Sequence, residues 1–274
     1  MLDNHEINIP LKVESVGYNN PYDFSRIHRH SYFELMFFDH ATGEGINTID
    51  FYEYPINKFS LHIVYPNQVH LMKRTSEDNG LIVQFTKEYL MTGPVNFQPE
   101  WLYLLQTNPV KDLNKEQFEK LFRIFSHLKD LTKQEAVFRS LIIRHYFQYA
   151  MFNLLEMLND GLSVRSGNLA LNFMLLAETH FREKRTVSDY ADMLNVSVKK
   201  LNKEVKAGLG KPPLQLLHDL RAIEIKRLML TGDHSHKEIS YLLHFDSQAS
   251  YTRFVNRYFE MSPSMLKQSL QSSV

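Results

Sequence analysis

The sequence predicts an α+β chain in two parts: a β-rich N-terminal half that closes a barrel and carries packed helices, then an all-helical half. Three observations lead there. Residues 1–95 hold short apolar runs broken by turn residues. From Lys87 onward apolar residues recur at spacings of three and four. Between Thr186 and Lys267 two helix–turn–helix patterns flank one long helix. A length of 274 residues is enough for two domains, each with its own core. We place their boundaries at 1–160 and 168–274, with a linker at 161–167.

In the first part, Leu35–Phe38, Phe59–Tyr65 and Leu81–Phe85 read as strands, and Phe51, Tyr52 and Tyr54 add aromatics at strand-like positions. Turn signals stand at Tyr18–Pro21, Thr42–Gly45, Pro66–Gln68 and Glu77–Gly80. Short strands at this spacing suit a barrel or jelly roll. A single helical turn is expected at Lys87–Met91, a short helix at Pro99–Gln106 and a longer one at Asn114–Leu131. Thr132 and Glu135 have capping-box spacing, which opens a helix running to about Asn159. Its stripe of Val137, Phe138, Leu141, Ile142, Tyr146, Tyr149 and Phe152 is wide enough to face a core and a second subunit. Asn159, Asp160 and Gly161 end it, and the linker follows.

The second part opens with a helix over Leu169–Arg182. Thr186 and Asp189 cap the next helix, Asn195 supplies a left-handed turn, and Ser197 caps a helix with Val198, Leu201 and Val205 inward. Pro212 and Pro213 begin a connector of 18 residues, about 27 Å long, stopped by Thr231–Asp233. Ser235 and Glu238 form a capping box, with Ile239, Leu242 and Leu243 inward. His244 and Phe245 turn the chain, and Asp246 or Ser247 caps a last helix that buries Tyr251, Phe254, Val255 and Phe259.

The balance of 31 basic and 31 acidic residues hides a split. Residues 1–164 carry 15 Lys and Arg against 20 Asp and Glu, a balance of −5; residues 165–274 carry 16 against 11, or +5. The excess positive charge lies where the helix–turn–helix patterns are, as a nucleic-acid partner requires. The absence of cysteine excludes disulfides, thiolate metal sites and thiol redox sensing, and suits a cytoplasmic location. No basic-then-apolar leader opens the sequence, and no apolar run approaches the roughly 20 residues of a membrane helix. A helix capped by a small polar residue, with Lys, Arg, Asn and Gln on its exposed turns, suits the DNA major groove.

From Asn168 to Lys267 the sequence resembles the AraC/XylS-type transcription regulators. The resemblance rests on Ala191, Leu194, Val196, Ser197, Leu201, Lys206, Gly210, Arg221, Leu228–Leu230, Glu238, Ile239, Phe245, Arg253, Ser262, Pro263 and Lys267. It departs at His244 and Glu260, where the family has glycines, at Val205 and Val255 in place of Phe, and at Ile225 in place of Ala. The resemblance implies sequence-specific binding to double-stranded promoter DNA. Lys199, Asn202 and Lys203 from the first unit, and Gln248, Ala249, Thr252 and Arg253 from the second, are then expected to face bases. Arg253 can bridge O6 and N7 of guanine. Lys200, Lys206 and Arg257 are expected at phosphates.

His28, His30 and Glu34, followed by Pro66 and His70, resemble the cupin pattern H-x-H-x3-E with P-x3-H. In cupin enzymes these residues hold a divalent metal, and three imidazoles with a carboxylate suit iron, manganese or zinc. In AraC-type regulators the corresponding barrel usually binds a small effector without a metal. We therefore assign His28, His30, Glu34 and His70 to an effector pocket, with no metal, no cofactor and no catalytic residue expected. The expected partners are promoter DNA, a small-molecule effector, a second copy of the chain and, for an activator, RNA polymerase. The alternative is a metal-dependent cupin enzyme with a DNA-binding tail.

Overall fold

The computed structural model describes residues 10–17, 27–93, 95, 97–98, 101–106, 109–159, 168–230 and 234–272. The expected linker at 161–167 and the turns at 18–21 and 231–233 lie outside them. Contacts divide the chain into two compact units, Leu2–Val164 and Arg165–Val274.

The N-terminal unit is built on β1 (Leu11–Val16), β2 (His28–Arg29), β3 (Phe33–His40), β4 (Ile46–Ile49), β5 (Tyr52–Pro55), β6 (Ser60–Val64), β7 (Val69–Lys73), β8 (Asn79–Phe85) and β9 (Val110–Asp112). They form two antiparallel sheets, ordered β1-β8-β3-β6-β9 and β2-β7-β4-β5. Alternation along β3 explains its continuous apolar sequence, because both of its faces are covered. Phe33, Leu35 and Phe37 join Leu61, Ile63, Leu81, Val83 and Phe85 against the helices. Met36 and Phe38 point the other way and meet Ile49 and Met72 of the second sheet. Among the described residues no ladder links the two sheets. The expected barrel is therefore an open two-sheet sandwich, with β2 and β5 as the edges of the smaller sheet.

The helical layer on the larger sheet consists of α1 (Lys87–Met91), α2 (Leu102–Gln106), α3 (Lys115–Leu131) and α4 (Arg139–Leu158). Asn114 caps α3 through a capping box with Gln117. The box expected at Thr132 and Glu135 does not form. Thr132 instead closes α3, donating its hydroxyl to the Lys129 carbonyl at 2.7 Å. Consequently α4 starts at Arg139, behind Phe138 and with no side-chain cap. Val137 and Phe138 just before it and Leu141 and Ile142 on its first turn are exposed, whereas Phe147, Met151 and Leu154 are fully buried.

The C-terminal unit contains α5 (Leu169–His180), α6 (Val187–Met193), α7 (Val198–Leu209), α8 (Pro213–Leu230), α9 (His236–Leu242), α10 (Gln248–Phe259) and α11 (Pro263–Ser272). The connector α8 has the expected 18 residues and starts at Pro213. A closing helix, α11, was not anticipated; its signal was Pro263 at a first helical position, then Leu266 and Leu270, both buried. No described helix is long and apolar enough to cross a membrane.

Candidate functional site

Each helix–turn–helix pair is fixed by its own sequence. Thr186 accepts from the amide of Asp189 at 3.2 Å, and the Asp189 carboxylate accepts from the Thr186 amide at 2.9 Å. These bonds hold the Asp189 carboxyl below the usual carboxylate range. Asn195 takes a left-handed φ of 52°, and Ser197 caps α7 by accepting from Lys200 at 3.2 Å. Leu201 and Val205 are fully buried, and Gly210 ends the helix at φ 74°. Val198, expected inward, is 41% exposed, because it stands on the first turn where the buried stripe runs out.

The second pair repeats the device. Ser235 and Glu238 form the expected box around α9. His244 adopts φ 51°, almost that of Asn195, and Glu260 ends α10 at φ 57°. Ser247 caps α10 in a box with Ser250. Asp246 instead meets Arg185 at 2.7 Å. Tyr251 and Val255 are fully buried, whereas Phe254 and Phe259 are only half-buried. Leu242, expected inward, is 40% exposed, since Leu243, four residues after Ile239, takes the inward place.

The outward faces carry the residues singled out in the sequence. Lys199, Lys200, Lys203 and Lys206 are exposed on α7, and Asn202 is half-buried with its amide donating to the Val198 carbonyl at 2.9 Å. On α10, Gln248, Ala249, Arg253 and Arg257 are exposed and Thr252 is half-buried. Arg253 and Arg257 line a concavity of about 1150 Å³ together with Arg185, His218 and Arg221. Arg185 belongs to this basic surface but was missed, because it precedes α6 and lies on no helical stripe.

Arg221 of α8 ties the end of α5 to the second pair. Its guanidinium donates to the carbonyls of Phe181, Arg182 and Leu243 at 3.1, 3.3 and 3.3 Å. Phe181 and Leu243 are the C-caps of α5 and α9, so one cation sits at two helix C-termini. Burial, then Arg185, lower its pKa to about 10, which still leaves it charged at neutral pH. Beside it, buried Glu224 binds Arg182 at 2.7 Å and Arg227 at 3.3 Å.

A second set lies inside the N-terminal sandwich. The β2–β7 ladder places His28 directly opposite His70. His30 follows β2 and is held by the amide of Asn67, which donates to its carbonyl at 2.7 Å. The rings of His28 and His70 are 4.0 Å apart, those of His30 and His70 5.0 Å. All three are buried, and one nitrogen from each lies within 4.8 Å of the others. The Nδ1 of His30 donates to the Tyr32 carbonyl at 2.8 Å, which leaves Nε2 as the lone-pair nitrogen. That nitrogen is 3.9 Å from Glu34, whose carboxylate accepts from Gln84 at 2.7 Å. Burial pushes the Glu34 carboxyl up to about 7. Burial, then the His28 and His30 charges, push His70 well below its ordinary value. The four residues expected from the sequence thus converge. Asn47 and His62, 3.2 Å apart in the same interior, were not foreseen.

Two capped helices, each exposing basic and polar side chains and each the second helix of a capped pair, define a double helix–turn–helix domain. A family model described as a helix-turn-helix domain matches residues 190–269. The C-terminal unit carries this helix-turn-helix domain, and the chain is similar over most of its length to curated transcriptional activators. It is 24% identical over 246 residues to the HTH-type transcriptional activator RhaS of Salmonella paratyphi A, covering 88% of this chain and 87% of that protein. RhaS of an Enterobacter species is 22% identical over 260 residues, covering 90% and 89%. Among solved structures, ToxT from Vibrio cholerae with bound unsaturated fatty acid aligns at a TM-score of 0.43 and 16% identity, covering 94% of each chain. The DNA-binding domain of AdpA in complex with a target DNA aligns at 0.36 and 24% identity, covering 39% of this chain and 96% of that one.

Proposed function

We propose that the protein is an effector-responsive regulator that inserts α7 and α10 into adjacent major-groove segments of one promoter site. The observation that carries this reading is the pair of serine-capped helices, Ser197–Leu209 and Ser247–Phe259, with matching turns. Lys199, Asn202 and Lys203 then read one segment, and Gln248, Ala249, Thr252 and Arg253 the other. Lys200, Lys206 and Arg257 hold phosphates. Asn202 must release the Val198 carbonyl to reach a base edge. A connector of about 27 Å suits two helices roughly one DNA turn, about 34 Å, apart.

The exposed apolar residues at the start of α4 (Val137 and Phe138 before it, Leu141 and Ile142 on it) support dimerisation through a second copy of the chain. The convergence of His28, His30, Glu34 and His70 supports an effector site in the N-terminal domain, residues 1–160. Contact with RNA polymerase follows if the protein activates, as the RhaS proteins do by their name. A cytoplasmic location follows from the DNA partner. Selection of bound duplexes from a random pool by the full-length chain tests the DNA reading. Two half-motifs about ten base pairs apart are expected. A single half-motif, or no enrichment, overturns it.

A further inference from the structure

We infer that the concavity lined by α8, α10 and Arg185 is a binding site for a small aromatic phosphate, a flat ring bearing one phosphate group, and that its occupant competes with DNA for α10. The competition rests on the proposed insertion of α10 into DNA; the site itself rests on its lining alone.

Charge gathers there first. α10 brings Arg253 and Arg257, four residues apart and so on one face; α8 brings His218, and the chain before α6 brings Arg185. Arg253 and Arg257 are exposed and make no ion pair among the described residues. Arg185 already grips an oxyanion, the Asp246 carboxylate, at 2.7 Å. That carboxylate is 76% exposed, so an incoming phosphate can displace it and take its place on the planar guanidinium. His218 registers the positive field of this wall: burial, then Arg221 and Arg257, hold its pKa below the ordinary value, against the pull of Asp219. The Asp219 carboxylate is itself bonded to Lys211, Gln215 and Tyr258, at 2.8, 2.8 and 2.6 Å.

Charge alone would suit the DNA backbone, but the rings beside it call for something else. Phe245 and Phe254 stand 5.5 Å apart, and Phe254 and Tyr258 lie 5.6 Å apart and within 13° of parallel. His218 meets Phe254 edge-on at 5.5 Å. Phe245 and Phe254 are only half-buried, and Tyr258 and Leu214 are 37% and 45% exposed. A phosphodiester offers these ring faces little to cover them; a flat apolar ring covers them well. Arginine favours the same partner, since a guanidinium binds an oxyanion along its edge and stacks on a ring with its face. The volume agrees: about 1150 Å³ is far more than one phosphate group fills, and lies at the upper end of small-molecule sites, about 300–1000 Å³. An occupant draws on Arg253 and Arg257, the side chains proposed to meet a base and a phosphate, so ligand and duplex exclude each other.

The test titrates the full-length chain with phenyl phosphate, and with inorganic phosphate as the charge-only control, in a calorimeter at about pH 8, above the second phosphate pKa of about 6. One phenyl phosphate per chain is expected, with inorganic phosphate about tenfold weaker. Arg257→Ala should weaken phenyl phosphate by about tenfold. Asp246→Asn, which removes the built-in competitor for Arg185, should strengthen it by about threefold. Lys237→Ala, at an exposed cation of α9, should leave it unchanged. To separate binding from folding, phenyl phosphate should raise the melting temperature of the native chain more than that of Arg257→Ala. At saturation it should weaken binding of the selected duplex by about tenfold. Equal binding of the two probes, or of phenyl phosphate by Arg257→Ala and the native chain, overturns the site. No binding of phenyl phosphate overturns it as well, and a duplex salt slope lowered by about 1 in Arg185→Ala would then assign the concavity to the DNA backbone. Binding without loss of duplex affinity overturns the competition and keeps the site. Failure to bind any duplex, with or without the probe, counts instead against the DNA reading.

Discussion

In the C-terminal unit the buried charges of Arg221 and Glu224 are saturated: three carbonyls surround the guanidinium, and two arginines surround the carboxylate. In the N-terminal unit the reverse holds. Glu34, Asn47, His62 and His70 are as deeply buried, yet each keeps a polar atom with no protein partner. The difference separates two uses of buried polarity. A saturated group fixes architecture, because all its bonds end on the protein itself. An unsaturated one carries a desolvation cost that no bond within the protein offsets. The surfaces divide in the same way: the C-terminal unit shows its cations on α7 and α10, where a polyanion can meet them.

The largest effect should come from breaking the saturated side. Arg221→Met removes one cation and strands three carbonyls, two of them at helix ends. We expect a loss of about 3 kcal/mol or more, read as a fall in melting temperature. Both half-motifs should weaken together, because Arg221 ties α8 to the end of α5, just ahead of the first pair, and to α9 of the second. If one half-motif persists at native strength, Arg221 does not set the pose of the two units.

The unsaturated side should respond to acid. Burial lowers His62 to about 3, against an ordinary value of 6.5. The unfolded chain therefore takes up a proton below pH 6.5 that the folded chain refuses. The stability from a neutral His62 is present above pH 6.5 and is lost as pH falls toward 3, by up to about 1.4 kcal/mol per pH unit. His62→Gln should flatten this part of the stability–pH curve. Parallel curves for the two proteins would show that His62 gains its proton without unfolding.

Much of this was legible in the sequence, and the rest was not for identifiable reasons. Capping boxes at Thr186 and Ser235 are local, and they form as read. Thr132 and Glu135 have similar spacing and do not, because a threonine that closes one helix looks the same as one that opens the next. His28, His30, Glu34 and His70 were legible through motif spacing. Asn47 and His62 were not, since a lone polar residue in an apolar strand carries no signal until the opposite sheet is placed. Arg221 stood out as a residue, but its role depends on carbonyls 40 and 22 positions away.

Among the exposed residues the effects should be smaller and should differ in kind. Arg253→Ala should relax preference at one base position, costing about 1–3 kcal/mol of discrimination. Lys206→Ala should weaken all duplexes alike and lower the salt slope by about 1. Selection from random duplexes checks the first, and titration at several salt concentrations the second. An unchanged preferred sequence for Arg253→Ala would reassign that arginine to the phosphates, alongside Arg257.

The smallest effect sharpens the comparison within the DNA-binding unit itself. Asn195 and His244 hold the same turn at φ 52° and 51°, yet only asparagine among the two is at ease there. Imidazole gives the backbone little in return: His244 is exposed, and its carbonyl, not its ring, accepts from Arg185 at 3.0 Å. Glycine relieves the clash of Cβ with the carbonyl but gains freedom in the unfolded chain, so the two terms partly cancel. His244→Gly should still stabilise the unit, by about 0.5–1 kcal/mol, and Asn195→Gly should do so by less. Thermal unfolding of the two variants side by side decides it. A stabilised His244→Gly that binds duplex as well as the native chain means the histidine is a tolerated departure from the family's glycine. A stabilised variant that binds more weakly means the ring itself contacts DNA, and that the strain is kept for that contact.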